Sequence, residues 1–404
     1  MPDTFAPTDA ALQQRIAAID IKAYGKTRNH LDGRVTRLSP YLTHGFTDIP
    51  ALFGQLPKLT LQDKLAFEFG WREFFHHVWA HHGDAILKDL RPALPGVAYS
   101  ATLPDDIRGG RTGLKVIDRA VHELYQTGYL HNHARMWIAS YVVHLRKVHW
   151  RAGADWMYAH LLDGDLASNH LSWQWVAATF SAKPYLFNAE NVARFAPAGW
   201  HVGGTALDTS YEALEAIARG KDRIASAPTL LGMEEPALLA APPASPALPH
   251  LSGVDHAAAT DAVTDVVTAE ALRNAGRIRL VHPWMLADQS FDGLRLGVIH
   301  LPFHRAFPWS VLRWRFVMDR MTEVTDALYI GDLADLESML PADAHVESTA
   351  TLHPAYREQL ASLCGTLHAP ARRFPDPAQP CRSFSAFWSH CTGPEGAPRR
   401  SWHR

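Results

Sequence analysis

Residues 163–175, DGDLASNHLSWQW, combine two acids around a glycine, an amide and two tryptophans. Buried polar groups must find hydrogen-bond partners, so such a stretch either lines a ligand or forms a well-satisfied corner of a core. Tryptophans and buried acids also occur as plain structural residues. Taken alone, the stretch leaves both interpretations open.

The composition is that of a globular protein with more than one core. A chain of 404 residues suits two domains, and 47% hydrophobic and 20% charged residues are ordinary values. The net charge of −2 provides no overall basic field, so DNA binding would need a local patch.

The cysteines and the N-terminus indicate a cellular compartment. The 3 cysteines argue against a disulfide framework and for a reducing cytoplasm, and they are too few for a four-cysteine iron–sulfur cluster. The first residues lack the features of a signal peptide, and no apolar run has the length of a membrane span. We therefore expect a cytoplasmic protein.

The hydrophobic pattern predicts a mainly helical chain in two parts. Residues 1–225 show apolar positions at helical spacing and no strand alternation, which predicts an all-helical domain, with helices at 8–24, 61–82, 113–149 (two helices) and 154–162. The Ala- and Pro-rich residues 226–265 predict a linker. In residues 266–404 short apolar strands alternate with helices, which predicts a smaller α/β domain with a parallel sheet.

Further motifs accompany the opening stretch. They are TRLSPYLTHG (36–45), FEFGWREFF (67–75), HNHARM (131–136) and the run from LLDGD to PYLFN (161–188). In this order they resemble the flavin-binding domain of the photolyase/cryptochrome family. The resemblance covers roughly residues 20–195, and several ordered motifs are more specific than one short pattern. It implies an all-helical FAD-binding fold.

The resemblance also implies which residues contact the bent FAD. The matching positions are Tyr24, Thr36, Leu38, Ser39, Arg72, Asn132, Arg135, Asp163, Asp165 and Asn169. Arg135 and Asp163 suit a pair, because an arginine keeps a nearby aspartate ionised and each orients the other against a flavin edge. The alternative is a structural ion pair that joins two helices.

Asn169 matches the residue that faces the flavin N5 atom. An amide can both donate and accept a hydrogen bond. Plant-type cryptochromes tend to carry an acid at this place, so Asn169 favours repair chemistry. The alternative is an asparagine that caps a helix.

Three aromatic residues match the electron-transfer chain of the family. Trp173 and Trp150 correspond to its first two members. Tyr99 occupies the place of the third member, which is normally a tryptophan. Plain core packing is the alternative, and no single tryptophan excludes it.

Four residues match the pocket that recognises a flipped-out cyclobutane pyrimidine dimer: Glu68, Trp71, Met136 and Trp175. Aromatic rings stack on pyrimidines, methionine fills apolar gaps, and a carboxyl group binds base edges. Asn132 and Met136 stand where 6-4 photolyases carry two histidines, which favours the cyclobutane dimer. The alternative is a helix acid and a core methionine.

Arg28 matches a basic residue that contacts DNA phosphate. Lys26, Arg34 and Arg37 lie nearby and could complete a local patch. Such a cluster is also common on solvated surfaces. His77 and His81, one helical turn apart, could bind a metal, but the HExxH pattern is missing and we expect no metal site.

The second part of the chain resembles the Rossmann-like antenna domain of the family. The matching segments are RWRFVMDRMTEVTD, YIGDLADLESML and CRSFSAFWSHC, residues 313–326, 329–340 and 381–391. That domain usually precedes the flavin domain, so the order looks swapped here. Whether it binds a pterin, a deazaflavin or no antenna chromophore stays open.

The resemblance implies a FAD-dependent lyase that uses blue light to repair cyclobutane pyrimidine dimers in DNA by electron transfer from reduced flavin. The alternative is a cryptochrome-like photoreceptor that signals through a protein partner. A third is a flavoprotein with no light function. Strand preference and oligomeric state are not readable from the sequence.

Overall fold

Helices build the first half of the protein. The computed structural model describes residues 5–221, 224, 232–243, 250–252 and 270–393. We call residues 5–221 the helical unit. Its helices are α1 Asp9–Ala17, α2 Ile21–Thr27, α3 Ser39–Thr43, α4 Ile49–Gln55, α5 Lys64–His82, α6 Asp105–Arg108, α7 Lys115–Thr127, α8 Asn132–Ser140, α9 Trp150–His160, α10 Leu166–Ala177, α11 Ala189–Phe195 and α12 Tyr211–Ala218. A short π-helical turn, Tyr141–Leu145, follows α8.

Two helix boundaries differ from the sequence pattern because of capping side chains. The expected single helix over 8–24 is wrong: α1 ends at Ala17, and Asp20 starts α2 by accepting a hydrogen bond from Ala23 N at 2.9 Å. Helix α9 begins at Trp150 and not at residue 154. There the side chain of His149 accepts from Arg151 N at 3.2 Å and starts the helix one turn early.

A parallel sheet organises the second half. Its strands are β2 His250–Ser252, β3 Arg277–Val281, β4 Leu294–His300, β6 Ala327–Gly331, β7 His345–Thr349 and β8 Thr366–His368, in the order β2-β6-β4-β3-β7-β8. Two further strands, β1 Leu238–Leu239 and β5 Trp309–Ser310, form a small antiparallel pair. The helices are α13 Leu301–Ala306, α14 Val311–Val324, α15 Leu333–Leu336, α16 Tyr356–Leu363 and α17 Phe384–Thr392. We call β2 together with residues 270–393 the α/β unit.

The segment predicted as a linker, residues 226–265, is not only a linker. Strand β2 lies inside it and pairs in parallel with β6 at the sheet edge. Strand β1 also lies inside it, and its two leucines pair with Trp309 and Ser310. Backbone pairing therefore overrides the Ala- and Pro-rich composition at these positions. Residues 225–231, 244–249 and 253–269 lie outside the described residues.

The sheet reverses its strand order between β3 and β7. At such a switch point, a parallel sheet usually binds its ligands beyond the carboxyl ends of the strands. Here Trp284, which follows β3, stacks on His353, which follows β7, with ring centroids 3.3 Å apart. Tyr356 is fully buried beside them, and its hydroxyl accepts from His300 N at 2.7 Å. Side chains of the protein itself therefore fill the crevice.

One hydrophobic core continues across both units. Phe316 of α14 contacts Tyr41 and Phe46 of the helical unit at ring distances of 5.8 and 5.4 Å. Trp79 of α5 meets the ring of His353 edge-on at 5.0 Å. The two units are therefore packed as one body in this structure.

The polar side chains of α5 hold the C-terminal segment. Glu73 accepts hydrogen bonds from the amides of Arg373 and Phe374 at 2.8 and 2.9 Å. His77 bonds Asp376 through Nδ1 at 2.6 Å, and its Nε2 accepts from Cys381 N at 2.9 Å. The two ring nitrogens of His77 are thus engaged in structural contacts.

The described residues contain neither a metal cluster nor a membrane span. In that part of the chain, no group of three or more histidines, cysteines and acids is arranged to hold a metal ion. None of its helices has the length and apolar character needed to cross a bilayer.

Candidate functional site

A cavity of about 430 Å³ opens between α2, α5, α8 and α10 of the helical unit. Its wall contains most of the residues singled out from the sequence: Tyr24, Arg28, Thr36, Leu38, Ser39, Glu68, Trp71, Arg72, Asn132, Arg135, Met136, Asp163, Asn169, Trp173 and Trp175. Three others, Asp165, Trp150 and Tyr99, lie outside the wall. Motifs that are far apart in sequence therefore meet at one concave surface.

Arg135 and Asp163 form the central ion pair of this wall. The Arg135 Nη2 atom lies 3.0 and 2.8 Å from the two carboxylate oxygens of Asp163, and its Nε donates to Leu130 O at 2.9 Å. The carboxylate is nearly buried, with 3% of its side chain exposed. The pair joins α8 to the turn at residues 161–165 and fixes both groups at the cavity surface. The two interpretations of this pair, structural and ligand-orienting, are thus compatible.

Asp165 lies behind the wall and caps α10. Its Oδ1 accepts from Ser168 N at 2.7 Å, and its Oδ2 lies 2.9 Å from His76 Nε2 and 3.7 Å from Arg72 Nη2. Burial alone would raise the pKa of Asp165, but His76 and Arg72 outweigh it and hold the pKa well below its usual range. Asp165 therefore anchors Arg72, which itself lines the cavity.

Asn169 is buried in the first turn of α10. Its Nδ2 donates to Ala154 O of α9 at 2.8 Å, so the orientation of the amide is fixed and Oδ1 is the atom left for a ligand. The capping interpretation of Asn169 is wrong, because Asp165 occupies the N-cap.

Groups that suit phosphates come from the segment at the start of α3 and from the side chain of Arg72. Thr36, Leu38 and Ser39 line one side of the cavity, and Leu38 N donates to Thr36 Oγ1 at 3.4 Å. Between them, Arg37 has a left-handed backbone with φ of 52°. Hydroxyls beside a guanidinium can bind an anionic group directly.

The mouth of the cavity is aromatic and carries one acid. Trp175 is 37% exposed there. Trp71 is backed by Phe384 of the C-terminal helix α17, with ring centroids 4.1 Å apart and planes within 8°. Asn132 Nδ2 lies 3.8 Å from the sulfur of Met136. These groups form a surface on which a flat molecule can stack.

Glu68 and Arg28 interact with each other at this mouth. Arg28 Nε donates to Glu68 Oε1 at 3.2 Å, so Arg28 is already engaged with an acid rather than free for a phosphate. Burial raises the pKa of Glu68, and Arg28 and Lys64 oppose that shift. Glu68 can therefore present carboxyl oxygens to a bound ring while Arg28 holds the side chain.

The three aromatic residues assigned to electron transfer differ in how they are placed relative to the cavity. Trp173 lines the cavity and is 2% exposed, and Gly153 of α9 leaves room for its ring. Trp150 is buried, and its Nε1 donates to Asp89 Oδ1 at 2.6 Å. The ring of His149 lies 5.6 Å from Trp150 and 6.5 Å from Tyr99. The ring of His149 is thus a neighbour of both Trp150 and Tyr99.

Several residues of the site were missed by sequence reasoning. His76 supports Asp165, Asp89 binds Trp150, and Arg313 of α14 reaches the turn at 161–165. His76 sits one turn beyond Arg72, and that spacing could have indicated it. Asp89 and Arg313 are distant in sequence, and nothing in their local pattern marks them.

Comparison with known proteins assigns this region. Residues 65–199 match the family model of the FAD binding domain of DNA photolyase. Residues 65–199 belong to the photolyase/cryptochrome family. FAD is the cofactor of this photolyase-type domain.

Proteins named photolyase and proteins named cryptochrome are both similar to this chain. A deoxyribodipyrimidine photo-lyase of Streptomyces griseus is 36% identical over 159 residues, which are 39% of this chain and 35% of the relative. A cryptochrome DASH of Vibrio parahaemolyticus is 30% identical over 167 residues, 38% of this chain and 37% of the relative. The chain thus spans little more than a third of the length of these curated photolyase and cryptochrome relatives.

A solved structure shows a partial match as well. The crystal structure of a bacterial class III photolyase from Agrobacterium tumefaciens is 28% identical with a TM-score of 0.42, and the match covers 47% of this chain and 42% of that one.

The cavity fits FAD by the chemistry of its lining. Ser168 Oγ is buried at the cavity and has no hydrogen-bond partner within the described residues. Arg72 is a cation suited to phosphates, and Asp163 and Asn169 offer acceptors suited to a flavin edge. A bound FAD would satisfy these polar groups.

Proposed function

We propose that this protein is a photolyase-type enzyme that repairs cyclobutane pyrimidine dimers in DNA under blue light. The observation that supports this function is that one cavity is lined both by the candidate flavin contacts and by Glu68, Trp71, Met136 and Trp175. Bound FAD would supply the absorption of blue light and a one-electron donor for a reaction with no net redox change, and the residues of the wall would hold the cofactor and the lesion.

The aromatic mouth would hold the two pyrimidines. Trp71 and Trp175 offer faces for stacking, and Met136 fills the apolar gap beside them. The exposure of Trp175 suits a base that enters from solvent after it leaves the DNA stack. Extruding a damaged base costs a few kcal/mol at most, because the lesion already weakens pairing and stacking.

Glu68 would bind the edges of the bases. Glu68 lines the cavity at its mouth, and a carboxyl group there can hydrogen-bond the base edges. Arg28, 3.2 Å away, would hold this side chain in place. Asn132 and Met136 replace the histidine pair expected for 6-4 lesions, which supports the cyclobutane dimer as substrate.

Trp173 and Trp150 would restore the reduced state of the flavin. Both are buried, and the carboxylate of Asp89 lies 2.6 Å from Trp150 Nε1. A negative charge at this distance stabilises a positive charge on the indole. Tyr99 would be the final donor of this chain, and the ring of His149 is a neighbour of both Tyr99 and Trp150.

Repair of a defined oligonucleotide tests this function. Fully reduced protein is illuminated at blue wavelengths with single-stranded DNA that contains one thymine dimer, and restored thymines are separated by chromatography. We expect repair in light, none in darkness and none with a 6-4 photoproduct. Glu68→Ala should slow repair, whereas Glu190→Ala, an exposed acid of α11, should not. A dimer left intact by the reduced, illuminated protein refutes the proposal.

A light sensor is the second candidate, because relatives named cryptochrome DASH match the same residues. Such a protein would use the flavin cavity but signal through a protein partner. Light-dependent binding of a partner that persists in Glu68→Ala, together with absent repair, would favour this function over the first.

A further inference from the structure

Arg313 of α14 is a buried cation that reaches from the α/β unit into the helical unit. Its guanidinium donates to Tyr158 O at 2.8 Å and to Gly164 O at 2.5 Å, and the residue is 0% exposed. Its guanidinium carbon lies 4.0 Å from the ring centroid of Trp309. Within the described residues, no carboxylate lies within ion-pair distance of this arginine.

Burying the charge of Arg313 in this way costs free energy of folding, so stability alone does not explain it. Burial lowers the pKa of Arg313, opposed by Tyr158 and Asp163, yet an arginine remains protonated in proteins. A buried charge without a counter-ion loses its hydration, and an apolar side chain of similar volume would often serve the core equally well. The two carbonyl contacts therefore need another explanation than packing.

Those contacts fall on the turn that carries Asp163 in the cavity wall and Asp165 behind it. Gly164 lies between Asp163, which binds Arg135, and Asp165, which binds His76. A Cβ atom at Gly164 would collide with the guanidinium, so the glycine lets Arg313 approach the backbone. The turn is thereby held through its backbone, whereas Arg135 and His76 hold its carboxylates.

Two further groups hold the same turn. Thr43 Oγ1 donates to Asp163 O at 3.3 Å. The ring nitrogens of His44 lie 2.8 Å from Leu162 O and 2.7 Å from Pro283 O, which belongs to the α/β unit. The α/β unit thus contacts the backbone support of the flavin site at more than one point.

We propose that Arg313 is a positioning residue of the flavin site, through which the α/β unit fixes the turn at 161–165 and so sets the affinity and rigidity of FAD binding. The α/β unit acts in this way as a support of the cofactor site. This inference rests on FAD in the cavity and not on repair of DNA.

Titration of FAD into full-length apoprotein tests the proposal. The variants are Arg313→Lys, Arg313→Gln and Arg313→Met, with Arg320→Met as the matched control. Arg320 lies on the same helix and is 3% exposed, but it donates to Leu286 O and pairs with Asp9, away from the turn. Thermal unfolding of each apoprotein measures the loss of stability separately.

We expect Arg313→Met to raise the dissociation constant for FAD about tenfold, which is a loss of ~1.4 kcal/mol of binding free energy. The fine structure of the visible flavin band should blur in this variant, because the ring is held less rigidly. Arg313→Lys keeps the charge and a donor and should recover part of both effects, and Arg313→Gln should recover less. Arg320→Met should lower the unfolding temperature with no change in affinity or spectrum.

Two results overturn the proposal. One is an equal loss of FAD affinity in Arg313→Met and Arg320→Met at equal loss of stability, which makes Arg313 only a core residue. The other is wild-type affinity and spectrum in folded Arg313→Lys and Arg313→Gln, which decides the matter if Arg313→Met does not fold. Repair is not measured, so failure of the proposed enzyme activity leaves this outcome unaffected.

Discussion

The two units of this protein each have a concave place where a ligand could bind, and they treat it in opposite ways. The helical unit keeps a cavity of about 430 Å³, where Ser168 Oγ has no hydrogen-bond partner in the part of the chain that the structure describes. The switch point of the parallel sheet is filled by Trp284, His353 and Tyr356, and Trp79 of the helical unit covers it. The usual binding crevice of a fold is therefore no guide to the ligand when side chains of the chain occupy it.

The filled crevice and the open cavity are connected through the interface between the units. The side chains that follow β3 and β7 pack toward α5, and the helix after β5 sends Arg313 to the turn at 161–165. The crevice of the α/β unit is filled by its own side chains, and these side chains pack against the helical unit. Changes in the crevice should therefore cost stability, whereas changes in the cavity should cost affinity for FAD.

Tyr356→Ala should produce the largest effect, in stability. The side chain is fully buried among Trp284, Phe303 and His300, so its loss leaves a cavity in the crevice. We expect the free energy of unfolding to fall by about 3–5 kcal/mol, measured by urea denaturation.

Tyr356→Phe is the control for this change. It keeps the ring but loses the hydrogen bond from His300 N, which should cost about 1 kcal/mol. A small effect of Tyr356→Ala, below that of the control, would show that the crevice is not packed and would reopen it as a place for a chromophore.

Asp163→Asn should produce the second effect, in FAD affinity. The substitution removes the charge that pairs with Arg135 at 2.8 Å and leaves that guanidinium without its counter-ion. We expect the dissociation constant for FAD to rise about 30-fold, equivalent to ~2 kcal/mol. Fluorescence titration of apoprotein with FAD measures it.

Asp106→Asn provides the matched control, since Asp106 forms a two-point ion pair with Arg146 elsewhere in the helical unit. It should lower stability and leave affinity for FAD unchanged. Equal losses of affinity in the two variants would contradict a specific role for the Asp163 pair.

The resemblance to the photolyase/cryptochrome family pointed to the residues that line the cavity, and helical spacing explains how they come together. Glu68, Trp71 and Arg72 share α5, and Asn132, Arg135 and Met136 share α8, so their spacing alone places each set on one helix. The role of Asp165 was less readable. The same acidic residue can face a cofactor or cap a helix, and only the fold decides between the two.

Contacts between the units were not readable from the sequence. Arg313 is 149 positions from Gly164, and its partners are backbone carbonyls, which leave no trace in residue type. The predicted linker concealed β2 for a related reason. Edge pairing needs only backbone groups, so the Ala- and Pro-rich composition of 226–265 hid a strand.

The stability of both units should decrease in acid, because each unit contains a buried histidine. Burial lowers the pKa of His144 in the helical unit and of His282 in the α/β unit to about 4. The unfolded chain therefore binds more protons than the folded one below the ordinary histidine pKa of about 6.5. The free energy of unfolding should fall as pH drops from 6.5 toward 4, by about 1.4 kcal/mol per pH unit for each such histidine.

Urea denaturation at pH 6.5, 5.5 and 5.0 measures this slope. His144→Gln and His282→Gln should each reduce the slope, whereas His82→Gln, at the exposed end of α5, should leave it unchanged. A slope that neither buried substitution alters would assign the acid sensitivity to other groups.

Phe384→Leu should produce the smallest effect, at the mouth of the cavity. The helix α17 of the α/β unit backs Trp71 through this ring, with centroids 4.1 Å apart, so the substitution frees Trp71 to change orientation. An aromatic pair of this kind is worth about 0.5–1.5 kcal/mol. We expect the KM for dimer-containing DNA to rise about threefold with kcat unchanged, because Trp71 would bind the lesion without taking part in the electron transfer.

Phe387→Leu is the control on the same helix, since Phe387 contacts Phe74 and His77 instead of Trp71. It should lower stability by a similar amount and leave KM at the wild-type value. If both substitutions raise KM equally, the effect comes from loosening of α17 as a whole. If only Phe384→Leu raises KM, the α/β unit shapes the mouth of the cavity as well as the cofactor site. The helical unit would then bind both FAD and the DNA lesion, and the α/β unit would support both binding places.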